Sequence, residues 1–328
     1  MELKTVNHSY YPKIGERDEQ HELRRAFHFF DRKKISESQL REAHEHTVKV
    51  VIGEQEAHDL DVITDGLIWW NDPVSHIMSS LEGVRMAGLL RFFDTNFYFR
   101  QPLIVGKLKR KGSMLSQEIS FLKKQTKSLT KAVLTGPYTL SLLSQLDTTA
   151  YASPEAVADA LTDILSEEIQ ELALLGIDTI QIDEPMFLTK PPKWKWAEKS
   201  LLKLMQHRKK TKLGLVTYFG DAVPFYSELQ HLPVDFLGFD FTYSSKLTDT
   251  LQKLGTDKDL QLGLLDGRNT KLEDLKEIFT LLEKVGPVLQ GKTSYVTTSC
   301  GLEYLPRDRA MDKLYLLKTI KHEFQKRK

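Results

Sequence analysis

Cysteine is almost missing from this chain: Cys300 is the only one in 328 residues. A lone thiol excludes a disulfide framework and an all-cysteine metal cage. Neither sign of charge is in excess, with 46 Lys and Arg against 45 Asp and Glu, which argues against nucleic acid as a general partner. No window rich in Gly, Ser or Gln marks extended disorder, and no apolar run approaches the length of a membrane span. The opening stretch MELKTVNHSYYPKIGERDEQ has no apolar secretory core, so the expected location is the cytoplasm. What remains is 41% apolar and 28% charged, enough for a large core beneath an ordinary polar surface.

A Gly-x-Gly-x-x-Gly fingerprint is also lacking, and no linker divides the chain. Instead, short apolar runs alternate with segments of helical period, the pattern of βα units. Strands are expected near 3–9, 60–65, 131–136, 178–183, 212–218, 235–240, 261–266 and 293–298. Ser36 with Gln39 forms a capping box, and Ser153-Pro154 opens a helix that runs to Leu175 and stops at Gly176. The loop after the second strand is long and contains Arg91–Arg100, and the apolar run Pro102–Leu108 that follows is expected to form a hairpin or an extra strand outside the barrel. About eight such units predict a closed (β/α)8 TIM barrel, one domain over 1–328. The alternative is a doubly wound open sheet with a small N-terminal helical domain.

Chemistry in such barrels sits where strands end, and polar groups recur there. The candidates in chain order are His8, Ser9 and Tyr10; Asp65; Asp183 and Glu184; Tyr218; Asp240; Asp266 and Arg268; and Cys300. Asp183-Glu184 follows the buried run Thr179–Ile182, and two carboxylates leaving an apolar interior can grip an ammonium or share a proton. A structural reading stands beside it, in which one acid caps a helix. Cys300 at the rim reads as a metal ligand or thiolate, against the bland alternative of a small buried hydrophobe. The basic stretch 107–131 and the acidic helix from 153 read as solvated faces that offset one another, or else as a docking patch for an anion.

In order, Ser9–Gly15, Leu60–Gly66, Thr135–Thr139, Ile180–Pro185, Tyr218–Asp221 and Ser299–Gly301 resemble the cobalamin-independent methionine synthase family in its short, single-barrel form. The resemblance implies methyl transfer to the thiol of homocysteine, with Asp183 and Glu184 on the amino group and the backbone near Ser9 and Tyr10 on the carboxylate. Asp65, Tyr218, Asp266 and Arg268 join them as substrate-binding candidates. It also implies zinc. The family's His-x-Cys ligand pair reads Val216-Thr217-Tyr218 here, which leaves Asp240 and Cys300 as catalytic and metal-ligand candidates, with His8 as a third ligand. The acid expected after Asp65-Gly66 is Leu67, and the folate-stacking tryptophan is missing from 138–147. The donor expected is a methylated corrinoid, free or on a protein, or a methyl-tetrahydropterin. The alternative is a non-catalytic barrel of the same family that binds a small amino acid or thiol.

Overall fold

A computed structural model describes residues 1–327. Eleven strands form among the described residues: β1 Glu2–Thr5, β2 Val62–Ile63, β3 Leu81–Arg91, β4 Tyr98–Arg110, β5 Leu129–Thr135, β6 Gln145–Leu146, β7 Thr179–Asp183, β8 Lys212–Thr217, β9 Phe236–Asp240, β10 Asp259–Leu265 and β11 Thr293–Thr298. Eight of them make one parallel sheet in the order β1-β11-β10-β9-β8-β7-β5-β2. A parallel bridge between Val6 and Val62 joins its two edges and closes the barrel. The open-sheet alternative is thereby excluded, and each of the eight barrel strands overlaps one of the windows read from the alternation of apolar runs. Parallel strands covered on both faces carry near-continuous apolar runs, as Leu213–Val216 does.

The helix starts follow their side chains. Ser36 and Gln39 form the reciprocal capping box ahead of Glu37–Ala57. The Ser153 side chain accepts from Ala156 N ahead of Pro154–Leu174, and Gly176 lies past the end at φ +75°. No helix among the described residues is long and apolar enough to cross a membrane.

The segment after β2 is a hairpin, β3 and β4 pairing antiparallel. Its tip is turned back over the barrel by Asp72, whose carboxylate accepts from Val74 N, Ser75 N and Arg100 N. The basic stretch is not one patch. Arg110 pairs with Glu168 and Glu171 of the acidic helix, as the offsetting-faces reading expects, whereas Lys131 points into the barrel and is 1% exposed.

Candidate active site

The barrel's interior is polar at its centre. Lys131 Nζ, on β5, donates to the carbonyl of His8 at 2.8 Å and to Gln181 Oε1 at 2.6 Å. Gln181 Nε2, on β7, donates in turn to Asp183 Oδ1 at 2.7 Å. The other Asp183 oxygen accepts from the Tyr218 phenol at 3.2 Å. Burial pushes the Asp183 carboxyl up and the Lys131 amine down, and each charge partly reverses the shift of the other. Tyr218 holds the third position of the pair that the resemblance assigned to metal, and its phenol serves Asp183 instead.

Glu184 does different work. Its carboxylate accepts from Tyr138 N at 2.9 Å, Thr139 N at 2.8 Å and Thr139 Oγ1 at 2.6 Å. These are the orphan donors at the start of the short helix Pro137–Leu143. A Cβ on Gly136 would fall on that carboxylate, so glycine at the helix entry makes room for it. Burial pushes the Glu184 carboxyl up to about 7, against the hydrogen bonds that lower it. Glu184 therefore caps a helix, as the structural reading of one of the two acids expects, and both of its oxygens accept from that helix.

At the end of β1, His8 Nδ1 and Ser9 Oγ are 2.8 Å apart, and the His8 ring meets Tyr218 edge-on with centroids 5.4 Å apart. The Ser9 carbonyl accepts from Asn7 Nδ2 and Thr64 Oγ1, which fixes the backbone there. Asp65 turns one oxygen to Leu67 N, while Oδ2 is buried with no partner; burial, then the charge of Glu118, raises its carboxyl. The Tyr10 hydroxyl is likewise buried and unpartnered.

Above these groups the mouth holds a cavity of about 460 Å3, lined by the hairpin tip 94–97, Asp266, Arg268, Asn269, Glu303 and Tyr304. Phe97 of the tip meets Tyr10 at 6.1 Å and Tyr304 at 6.0 Å, and Phe93 meets Phe219 at 5.4 Å. The tip thus roofs the strand ends with aromatic rings. Asp266 Oδ1 accepts from Arg268 N and lies 3.8 Å from the Arg268 guanidinium, which stacks over Phe219 and Tyr243. Glu303 was not among the candidates read from the sequence. Its only signal there is an acid two residues past Gly301, on the loop after the last strand.

Asp240 Oδ1 is taken by Thr242 N, Thr242 Oγ1 and Tyr243 N. Burial holds the Cys300 thiol well above its ordinary value, with the charges of Glu303 and Asp240 adding to the shift. No three His, Cys, Asp or Glu side chains among the described residues are grouped as metal ligands would be. His8, Asp240 and Cys300 therefore do not assemble the expected ligand set. Asp240 Oδ1 serves its own loop, and although Asp240 Oδ2 and His8 Nε2 are buried without partners, they and Cys300 do not come together as a group of three.

Residues 79–290 match the family described as "Cobalamin-independent synthase, N-terminal domain". The methionine synthase of Sulfolobus acidocaldarius is 29% identical over 284 residues, 86% of this chain and 82% of that protein. The methionine synthase of Pyrococcus horikoshii is 28% identical over 294 residues, 89% of this chain and 86% of that protein. Among solved structures, a B12-independent methionine synthase from Shewanella sp. W3-18-1, in complex with selenomethionine, superposes with a TM-score of 0.80 at 21% identity. That match covers 100% of this chain and 99% of the other. A methyltransferase from Methanosarcina mazei has a TM-score of 0.63 at 10% identity, covering 98% of this chain and 95% of its own. At those identities the structural matches speak to the fold.

Proposed function

The chain belongs to the cobalamin-independent synthase family, and from that membership we propose that it is a methyltransferase that methylates the thiol of homocysteine to give methionine. The observation that carries this reading is the Asp183 carboxylate at the barrel mouth, held by Gln181 from below and by Tyr218 from the side. A carboxylate fixed on two sides in a desolvated mouth is built to receive an ammonium, since a charge-assisted hydrogen bond gains strength as water is excluded. The amino group of homocysteine is placed at Asp183. Its carboxylate is placed between the Ser9–Tyr10 backbone and Arg268, and its sulfur toward Cys300 and Asp240. In the transfer the sulfur gains the methyl group and loses its proton, and the donor departs with the bonding pair.

The donor we favour is a methylated corrinoid over a methyl-tetrahydropterin. Tyr138, at the start of the region where a folate-stacking ring is expected, packs its own ring on Phe187 at 5.5 Å and on Trp196 at 5.3 Å. No step is assigned to zinc.

A second reading, a family member that holds an amino acid without turnover, is favoured by one observation. The positions of the family's ligand pair carry Val216, Thr217 and Tyr218, and no three-ligand group forms among the described residues. Calorimetric titration with L-homocysteine tests what both readings share. Saturable binding at one site per chain is expected, and its absence would remove homocysteine as the ligand.

A further inference from the structure

We propose that Glu303, on the loop after β11, is the second carboxylate that receives the substrate's ammonium group, filling the role for which the chain has no acid after Asp65-Gly66. The proposal rests on the amino-acid substrate argued above and adds a residue that the resemblance does not supply.

Four observations place it. Glu303 Oε2 is shut away from solvent and has no hydrogen-bond partner. Leaving a buried carboxylate oxygen unpaired is costly unless a ligand completes it. The position is built rather than incidental: a Cβ on Gly301 would fall on the Glu303 carboxylate and would come within 2.9 Å of the Tyr10 Cβ. Glycine at 301 thus lets the carboxylate lie down beside Tyr10. The Tyr10 hydroxyl is a second orphan, on a residue only 6% exposed, and the charges of Glu303, Asp72, Asp183 and Asp65 all act on it. Finally, Glu303 and Arg268 line the same cavity. An acid with an unpaired oxygen and a guanidinium in one small chamber match a zwitterion, with the ammonium at Glu303 and the carboxylate at Arg268.

The position also accounts for the missing acid. Leu67, where the family resemblance expects a carboxylate, is buried at 4% exposure in the apolar core. Glu303 approaches from the far side of β1, which lies between β11 and β2. Its carboxyl is raised to about 8, burial being the largest cause and the Asp183 charge a further one. A cation placed between the two acids relieves both.

The test is a set of calorimetric titrations with L-methionine and with its deamino analogue 4-(methylthio)butanoate, on wild type, Glu303→Gln and Glu303→Asp. Thermal melts check that each variant folds. The expected result is that wild type prefers L-methionine, that Glu303→Gln loses about tenfold or more in affinity for L-methionine alone, and that Glu303→Asp loses less. Equal L-methionine affinity in wild type and variants, or a parallel loss for both ligands, would overturn the role of Glu303 and leave the substrate reading standing. Failure of wild type itself to prefer L-methionine would overturn the substrate reading, and this inference with it.

Discussion

Lys131 and Asp183 share one hydrogen-bonded path without touching: the Lys131 ammonium donates to Gln181 at 2.6 Å, and the Gln181 amide donates to Asp183 at 2.7 Å. The amide can orient only one way in this chain, its oxygen toward the cation and its nitrogen toward the anion. The path fixes the carboxylate that faces the mouth and offsets its charge from beneath. Lys131→Met removes the cation and leaves the His8 carbonyl and Gln181 Oε1 facing an apolar chain. The expected cost in unfolding free energy is about 3–5 kcal/mol, the range for breaking a buried charge pair. Urea denaturation of the two proteins measures it, and a loss under about 1 kcal/mol would show that the path contributes little.

Glu184 separates stability from binding. Glu184→Gln turns an amide nitrogen toward the Tyr138 and Thr139 donors, so the start of Pro137–Leu143 loses part of its cap. The expected destabilisation is about 1–2 kcal/mol, with affinity for L-methionine unchanged within about twofold. A large loss of affinity at unchanged stability would return Glu184 to the substrate site.

Much of this architecture is legible in the chain, and the omissions have physical causes. Parallel strands advertise themselves as buried apolar runs, so all eight barrel strands could be read, and Ser36, Ser153 and Gly176 punctuate helices through local hydrogen bonds that need no tertiary knowledge. Depth is different. Lys131 follows Lys123, Lys124 and Lys127 in a basic run, and only strand pairing shows that it alone turns inward. Asp183 and Glu184 are adjacent, but a strand sends neighbours to opposite faces. One therefore reaches the mouth, and the other reaches the next helix. Glu303 lies just past the Cys300-Gly301 pair that drew attention, and its importance depends on Tyr10, nearly three hundred residues away in the chain.

Stability should carry the signature of the Glu303 carboxyl. Burial raises it from 4.5 to about 8, so between those values the folded chain holds a proton that the unfolded chain has released. The folded state then binds more protons, and stability falls as pH rises through that window; below 4.5 the penalty is absent. The melting temperature of ligand-free wild type is expected to drop more between about pH 6.5 and 8 than that of Glu303→Gln. Asp65, Asp183 and Glu184 are raised in the same direction but are common to both proteins. Parallel slopes would place Glu303 in water.

The Cys300 thiol is buried, and among the described residues no group of three metal-ligating side chains forms around it. Zinc titrations of wild type and Cys300→Ser are therefore expected to coincide, with and without L-homocysteine. A tight equimolar site lost on Cys300→Ser would show that the strand ends rearrange around metal.

The central claim is that this barrel moves a methyl group to a thiol, and isotope transfer tests it most directly. Native protein is incubated with L-homocysteine and a trideuteromethyl donor, methylcobalamin and a methyl-tetrahydropterin being supplied separately, and the product is read by mass spectrometry. Trideuterated methionine is expected from the corrinoid donor. Its rate should fall by about tenfold or more in Asp183→Asn, as loss of a charge-assisted hydrogen bond requires. Absence of labelled methionine with either donor, in protein that still binds L-methionine, would contradict the claim and leave the chain an amino-acid-binding barrel.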